Sequence, residues 1–347
     1  MIPALHRVCR RSLILAALSL IPGNPQRVMA ETPPVPPFTL QKGDLVTLVG
    51  ETFVEREYTF GQLETALTLA AGDKAPGLRF RNLGWSGDSV FGDARSYFGP
   101  PQEGFDRLMK TLGDLQPTVL VFCYGTVPVI SEGQPWTEVP DLAARLGDPE
   151  AGLAVFLEGY ERLVLAAKAA SGSGIREIVL VSPPPLERVA PPLPDLTGHN
   201  VRLAVYRDAI RDLAKKHGWR FADLFDAMGG GKTPVQESTP LTDDGIHFGQ
   251  AGYALAGSAL VKSLGLAVPT RAGTEAPVEA LRQAVVKKNR LFFHRWRPAN
   301  ETYLFLFRKH EQGQNAKEMP MFDPLIAAEE EKVAALAATA LERLKQP

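Results

Sequence analysis

Five short apolar runs, each trailed by a segment with helical periodicity, organise the chain from residue 45 to residue 264. The runs are Leu45–Val49, Leu78–Leu83, Val119–Tyr124, Ile178–Val181 and Arg220–Leu224. Apolar positions recur at helical spacing in Phe60–Ala71, Gly104–Leu115, Ala151–Ala170, Asn200–Lys216 and Ala251–Leu264, most of which end near Gly or Pro. Alternation of this kind predicts a parallel sheet with helices on both faces. Right-handed crossovers then put the loops that carry chemistry at the carboxyl ends of the strands. Thr52 follows the first strand, Gly87 the second, and Gly125 to Val127 the third. His247 follows the fifth and opens the last helix of the domain.

The flanks read differently. In residues 1–30, Arg7, Arg10 and Arg11 precede the apolar run Leu13 to Ile21, and Val28-Met29-Ala30 offers small residues at a cleavage site. This predicts a signal peptide and an exported, periplasmic or extracellular bacterial protein, with no membrane span in the mature chain. Residues 31–42 read as a Pro-rich linker, 43–266 as the main domain, and 267–347 as a C-terminal extension packing on it. The extension opens with a Pro/Gly/Thr stretch at 267–275, continues as a basic helix at 276–290 and an aromatic-basic tract, and ends in a charged helix from Pro324 to Lys345.

Composition narrows the chemistry. With 38 Lys and Arg against 39 Asp and Glu the net charge is −1, and removing the four arginines of residues 1–30 leaves 34 against 39, or −5. No basic surplus points to nucleic acid. Of the two cysteines, Cys9 leaves with the signal peptide and Cys123 sits inside an apolar run, so no internal disulfide forms and the thiol reads as core. The six histidines lack metal-ligand spacing, and no metal is expected. Gly229-Gly230-Gly231-Lys232-Thr233 lacks the leading glycine of a phosphate loop and runs into Pro234, so it reads as a turn.

One pair does suggest a reaction. In Asp244-Gly245-Ile246-His247 a carboxylate stands three residues ahead of a histidine. On a tight turn it can fix the histidine's tautomer and make it a general base. The competing account is a structural Asp-Gly turn beside a helix start.

Four blocks together resemble the SGNH/GDSL hydrolases. Leu48-Val49-Gly50-Glu51-Thr52 sits where that family places its Gly-Asp-Ser block. Asn82 to Asp88 resembles the second block, with Gly87 as its glycine. Tyr124-Gly125-Thr126-Val127 occupies the third, and Asp244 to His247 matches the terminal Asp-x-x-His. The resemblance implies a three-layer α/β/α, flavodoxin-like fold with a five-stranded parallel sheet and no cofactor. It further implies an ester hydrolase acting on a small-molecule or polysaccharide ester, with acetylated carbohydrate as the expected class. Thr52 is then the nucleophile, His247 the base, Asp244 its orienter, and the N–H groups of Thr52 and Gly87 the oxyanion hole.

Two positions depart from that pattern. Threonine replaces the nucleophilic serine, and its extra methyl restricts χ1. Valine at 127 replaces the asparagine whose amide would hold the oxyanion, a loss that typically costs about 10²–10³ in turnover. A second expectation follows, of a catalytically impaired relative that binds a glycan or cell-envelope polymer. Ser86 and Ser89, just before and at the end of the literal but displaced Gly87-Asp88-Ser89, are minority candidates for a substitute nucleophile. The acid-arginine cluster Glu55-Arg56-Glu57 reads as a solvated helix start or as an orienter of the first loop. Val127 and Trp136 are candidates for the substrate cleft. The tract around Phe293, Trp296 and Arg297 either packs the extension onto the domain or walls the cleft.

Overall fold

A computed structural model describes residues 36–131, 148–232, 240–312 and 315–346. Five parallel strands make one sheet: β1 (Leu45–Gly50), β2 (Arg79–Asn82), β3 (Val119–Cys123), β4 (Glu177–Val181) and β5 (Arg220–Ala222), in the order β2-β1-β3-β4-β5. That order reverses direction beside β1, where β1 and β3 part to either side, and doubly wound sheets form their clefts at such a point.

Every residue of β1 and β3 is buried, as a sheet covered on both faces requires. The period of two sorts their side chains into two cores. Val46, Leu48, Val119, Val121, Cys123 and Val179 face one cluster. Val49, Leu120, Phe122, Tyr124, Ile178 and Leu180 face the other. Helices α1 (Thr52–Phe60), α2 (Gln62–Ala71) and α8 (Gln250–Ser263) cover the first face. The second is covered by α3 (Pro101–Leu115), α5 (Pro149–Ala170) and α6 (Asn200–His217), with the short α4 (Thr126–Ile130) and α7 (Leu224–Ala227) following β3 and β5. The layers are α/β/α, as expected.

Helix α1 contains the expected helix start at Glu55-Arg56-Glu57, but that reading takes the whole cluster as solvated. The structure corrects that reading. Glu57 is 1% exposed and its carboxylate accepts the N–H groups of Leu63 at 2.6 Å and Glu64 at 3.4 Å, which cap α2. Burial pushes its carboxyl up to about 8 against those hydrogen bonds.

The chain from Pro36 onward forms one compact unit. Phe38 and Leu40, within the expected linker, are buried in the first core, and Arg176 donates to the Thr39 carbonyl at 2.8 Å. In the extension, α9 (Glu275–Trp296) runs six residues beyond the expected end of the basic helix and pairs with α10 (Phe322–Lys345). Leu281, Val285, Val333, Ala337 and Leu341 pack with Leu69 of α2 in a third cluster. Lys288 reaches Glu64 at 2.8 Å with both side chains under 5% exposed. Asn289 donates to the same carboxylate at 3.0 Å. Removing one partner of such a buried pair costs about 3–5 kcal/mol, because the other is left charged and unsolvated.

Candidate active site

At the carboxyl edge of the sheet, β1 ends in Gly50 and the chain turns at once into α1, whose first residue is Thr52. The backbone N–H of Gly87 donates to the Thr52 hydroxyl at 3.2 Å. Two glycines make this approach workable. A Cβ on Gly84 would lie 2.1 Å from the backbone nitrogen of Glu55, so only glycine lets the loop after β2 press against α1. Gly87 itself has φ +74, in the left-handed region.

That loop is anchored from below. Asp88 is fully buried and accepts from Arg95 Nε at 2.7 Å and from the Tyr124 hydroxyl at 3.0 Å. Ser89, 5% exposed, donates to Asp93 and accepts from Phe91 N at 3.2 Å. Its hydroxyl is part of the turn, not of the rim. Ser86 keeps its exposure but donates both its N–H, at 2.7 Å, and its hydroxyl, at 2.9 Å, to Glu55. Both serines satisfy loop groups.

His247 sits on a turn closed by the Thr242–Phe248 bridge and by the Asp243 N–H to the His247 carbonyl at 2.8 Å. Asp244 Oδ1 accepts the N–H groups of Ile246 and His247 at 3.1 and 2.8 Å, and Oδ2 lies 2.5 Å from His247 Nδ1. Partial burial opposes ionisation of Asp244, yet the ring and the two N–H groups outweigh it and lower its carboxyl to about 2. An ionised Asp244 fixes the proton on Nδ1 and leaves Nε2 as the basic nitrogen.

The same turn is stapled from β4's side by Glu187. Its carboxylate accepts Leu241 N at 3.0 Å, Thr242 N at 2.8 Å and the Thr242 hydroxyl at 2.7 Å. Thr242 in turn accepts Gly245 N at 3.0 Å. Glu187 stands in a proline run with no periodicity, and nothing in the sequence marked it.

Thr52, Val127 and His247 line one pocket of about 180 Å³. The Thr52 hydroxyl and the His247 ring are not hydrogen-bonded to each other there. The rest of the wall is mostly apolar, with Phe53, Ile130, Leu186, Ile246 and Phe248. Glu51 also lines the pocket, 2% exposed, and its carboxylate accepts Thr126 N at 2.7 Å and Val127 N at 3.2 Å. Burial raises this carboxyl to about 7 despite those bonds. Glu51 therefore ties the first block to the third and fixes the backbone that carries Val127.

Cys123 is 3% exposed on β3, and burial pushes its thiol far up, out of reach of a nucleophile's role. Trp136 lies outside the described residues. Among the described residues no group of three or more His, Cys, Asp or Glu is placed to hold a metal. None of their helices is long and apolar enough to cross a membrane.

Residues 58–255 match the model of the GDSL-like lipase/acylhydrolase family. The chain belongs to this family. The matched span holds Gly87, Val127, Asp244 and His247, and begins six residues after Thr52. No curated protein sequence matches the chain. Among solved structures, Axe2, an acetylxylan esterase from Geobacillus stearothermophilus, is 16% identical with a TM-score of 0.48, over 68% of this chain and 100% of its own. LAE5, an alpha/beta hydrolase from the metagenome of Lake Arreo, Spain, is 19% identical with a TM-score of 0.45, over 65% and 97%. Similarity at this level does not extend to substrate.

Proposed function

We propose that this protein is an exported ester hydrolase in which Thr52 is the nucleophile, His247 the general base and Asp244 the residue that orients it. One observation carries the reading: an imidazole held by an ionised carboxylate lines the same pocket as a hydroxyl that sits against the Gly87 N–H.

In the reaction Thr52 Oγ1 attacks the acyl carbonyl while its proton passes to His247 Nε2. The oxyanion takes the N–H groups of Thr52 and Gly87. Collapse breaks the ester bond, and the leaving alcohol carries off the proton from His247. Water, deprotonated by the same ring, then hydrolyses the acyl-threonine and returns the enzyme. The apolar wall of the pocket supports an apolar acyl group facing Val127 and Ile130. An acetylated or otherwise esterified carbohydrate remains the reading for the alcohol side.

The test is turnover of p-nitrophenyl acetate and butyrate by the chain from residue 31 onward. Loss of activity in His247→Ala and a gain in Thr52→Ser are expected. Equal background rates in all three proteins would remove the hydrolase reading. The Thr52 and Val127 replacements favour a second reading, of a glycan-binding relative without turnover. Retained affinity for a cell-envelope polysaccharide in that inactive case would establish it. N-terminal sequencing of the protein recovered outside the cytoplasm tests export, with a start near Glu31 expected.

A further inference from the structure

Behind the loop that carries Gly87 lies a second cavity, of about 150 Å³, walled by Trp85, Arg95, Tyr97, Arg107, Trp296 and Glu301. None of these residues lines the pocket of Thr52 and His247. Three of them hold a buried nitrogen without any hydrogen-bond partner: Arg95 Nη1, Arg107 Nε and Trp296 Nε1. Arg95 is 1% exposed and spends Nε on Asp88 and Nη2 on the Leu83 carbonyl at 2.9 Å, so Nη1 is the nitrogen left over. Arg107 spends Nη1 on Glu301 and Nη2 on Glu103 at 3.0 Å, which leaves Nε. Each orphaned buried donor is unfavourable, because it has given up water without gaining an acceptor. All three belong to side chains that wall one cavity.

The charges decide which acceptors fit. Arg95 is neutralised by Asp88, and Arg107 by Glu301 and Glu103, so no positive surplus is left for an anion. The wall carries acceptors as well, the Glu301 carboxylate and the hydroxyl-bearing Tyr97 and Thr111. A hydroxyl answers both demands, because it accepts from an N–H and donates to a carboxylate. Trp85, Tyr97 and Trp296 supply apolar ring surface between these polar points, a common make-up of small-ligand sites. The volume equals about five waters at roughly 30 Å³ each, enough for a single sugar ring and too little for a chain.

We propose that this cavity binds an uncharged polyhydroxylated ligand of monosaccharide size. The site joins the extension, through Trp296 and Glu301, to the segment that leads into Ser86 and Gly87. It is independent of whether Thr52 hydrolyses esters.

The experiment is calorimetric titration of the chain from residue 31 onward with D-xylose and D-glucose, and with sodium acetate and sodium glucuronate as charged counterparts. A neutral sugar should bind at millimolar Kd or tighter, and the two anions should bind more weakly. Trp296→Phe, which keeps an aromatic ring and deletes the N–H, should weaken the sugar about five- to tenfold. Thr52→Ala, in the other pocket, should leave the affinity unchanged. A crystal soaked in xylose should show a ring in contact with Arg95 and Arg107, a readout that holds even if Trp296→Phe fails to fold. Absence of sugar binding, preference for an anion, equal weakening by Thr52→Ala, or a cavity filled by water alone would each overturn the proposal.

Discussion

Arg297, just past the end of α9, pairs with Glu55 in the first turn of α1, and the same carboxylate accepts the Ser86 N–H at 2.7 Å. Ser86 precedes Gly87. The C-terminal extension therefore holds, through one carboxylate, the segment that presents the Gly87 N–H to Thr52. The Arg297 guanidinium also lies over the Trp85 ring, its central carbon 3.5 Å from the ring centre, so the group that pairs with Glu55 stacks as well.

If that contact positions the oxyanion donor, Arg297→Met should lower kcat by about tenfold with little change in KM, since small misplacements near the reacting atoms are costly. Arg297→Lys should recover part of the loss. Esterase kinetics alongside a melting curve check this. An unchanged kcat in the methionine variant would make Arg297 a packing residue only.

In the proposed reaction Thr52 and Val127 limit the same step from two directions. Thr52→Ser removes the methyl that narrows χ1 and should raise kcat severalfold, whereas Thr52→Val should abolish turnover. Val127→Asn should add a donor at the pocket wall, where Glu51 already fixes the backbone N–H. A full oxyanion donor is worth about 10²–10³ in kcat, and the part recovered should reach about tenfold. The double variant should show the two gains multiplied. A serine variant slower than the parent would move the nucleophile elsewhere.

Much of this arrangement could be read from the chain. Parallel strands buried on both faces announce themselves as unbroken apolar runs, and the Asp244–His247 interval is short enough to be closed by a single turn. The residues that hold the site were harder to see, for a common physical reason. Glu51, Glu55, Glu57 and Glu187 are carboxylates whose partners are backbone N–H groups or side chains supplied by other segments, Thr126 lying 75 positions from Glu51. A buried acid and a solvated acid look alike until the fold brings those donors together. The same holds for α1, whose charged face turned out to be partnered, and for the tract ending in Trp296 and Arg297. Its helix continues, and its aromatic residues pack: Phe293 stacks on Tyr58 at 4.3 Å, and Trp296 meets Trp85 edge-on at 5.8 Å.

Asp244 should prove to be a positioning residue with a large effect. Asparagine at 244 keeps the shape but can donate to Nδ1, which would put the ring proton on Nε2, the nitrogen that acts as base in the proposed reaction. In a serine-protease triad the corresponding change costs about 10⁴ in kcat, and a loss of that order is expected here. KM should change little. An NMR spectrum of the imidazole nitrogens should show the tautomer switch in Asp244→Asn, and activity retained within tenfold would remove Asp244 from the mechanism.

Glu51 makes the protein's stability depend on pH in a definite direction. Its carboxyl is raised by burial from 4.5 to about 7 in the folded protein. The folded state thus holds a proton that the unfolded chain releases, and stability from this group is full below pH 4.5 and lost as pH rises through 7. The interval corresponds to about 3 kcal/mol. Glu57 and Glu301, raised to about 8 and about 7, act in the same direction, so Glu51→Gln should remove only its own share. Relative to the parent, the glutamine variant should gain several degrees in Tm between pH 5 and pH 8, whatever its offset at pH 5. Differential scanning calorimetry across that range measures it. Curves that stay parallel would mean that Glu51 is ionised throughout, and that Thr126 and Val127 hold its charge more strongly than burial opposes it.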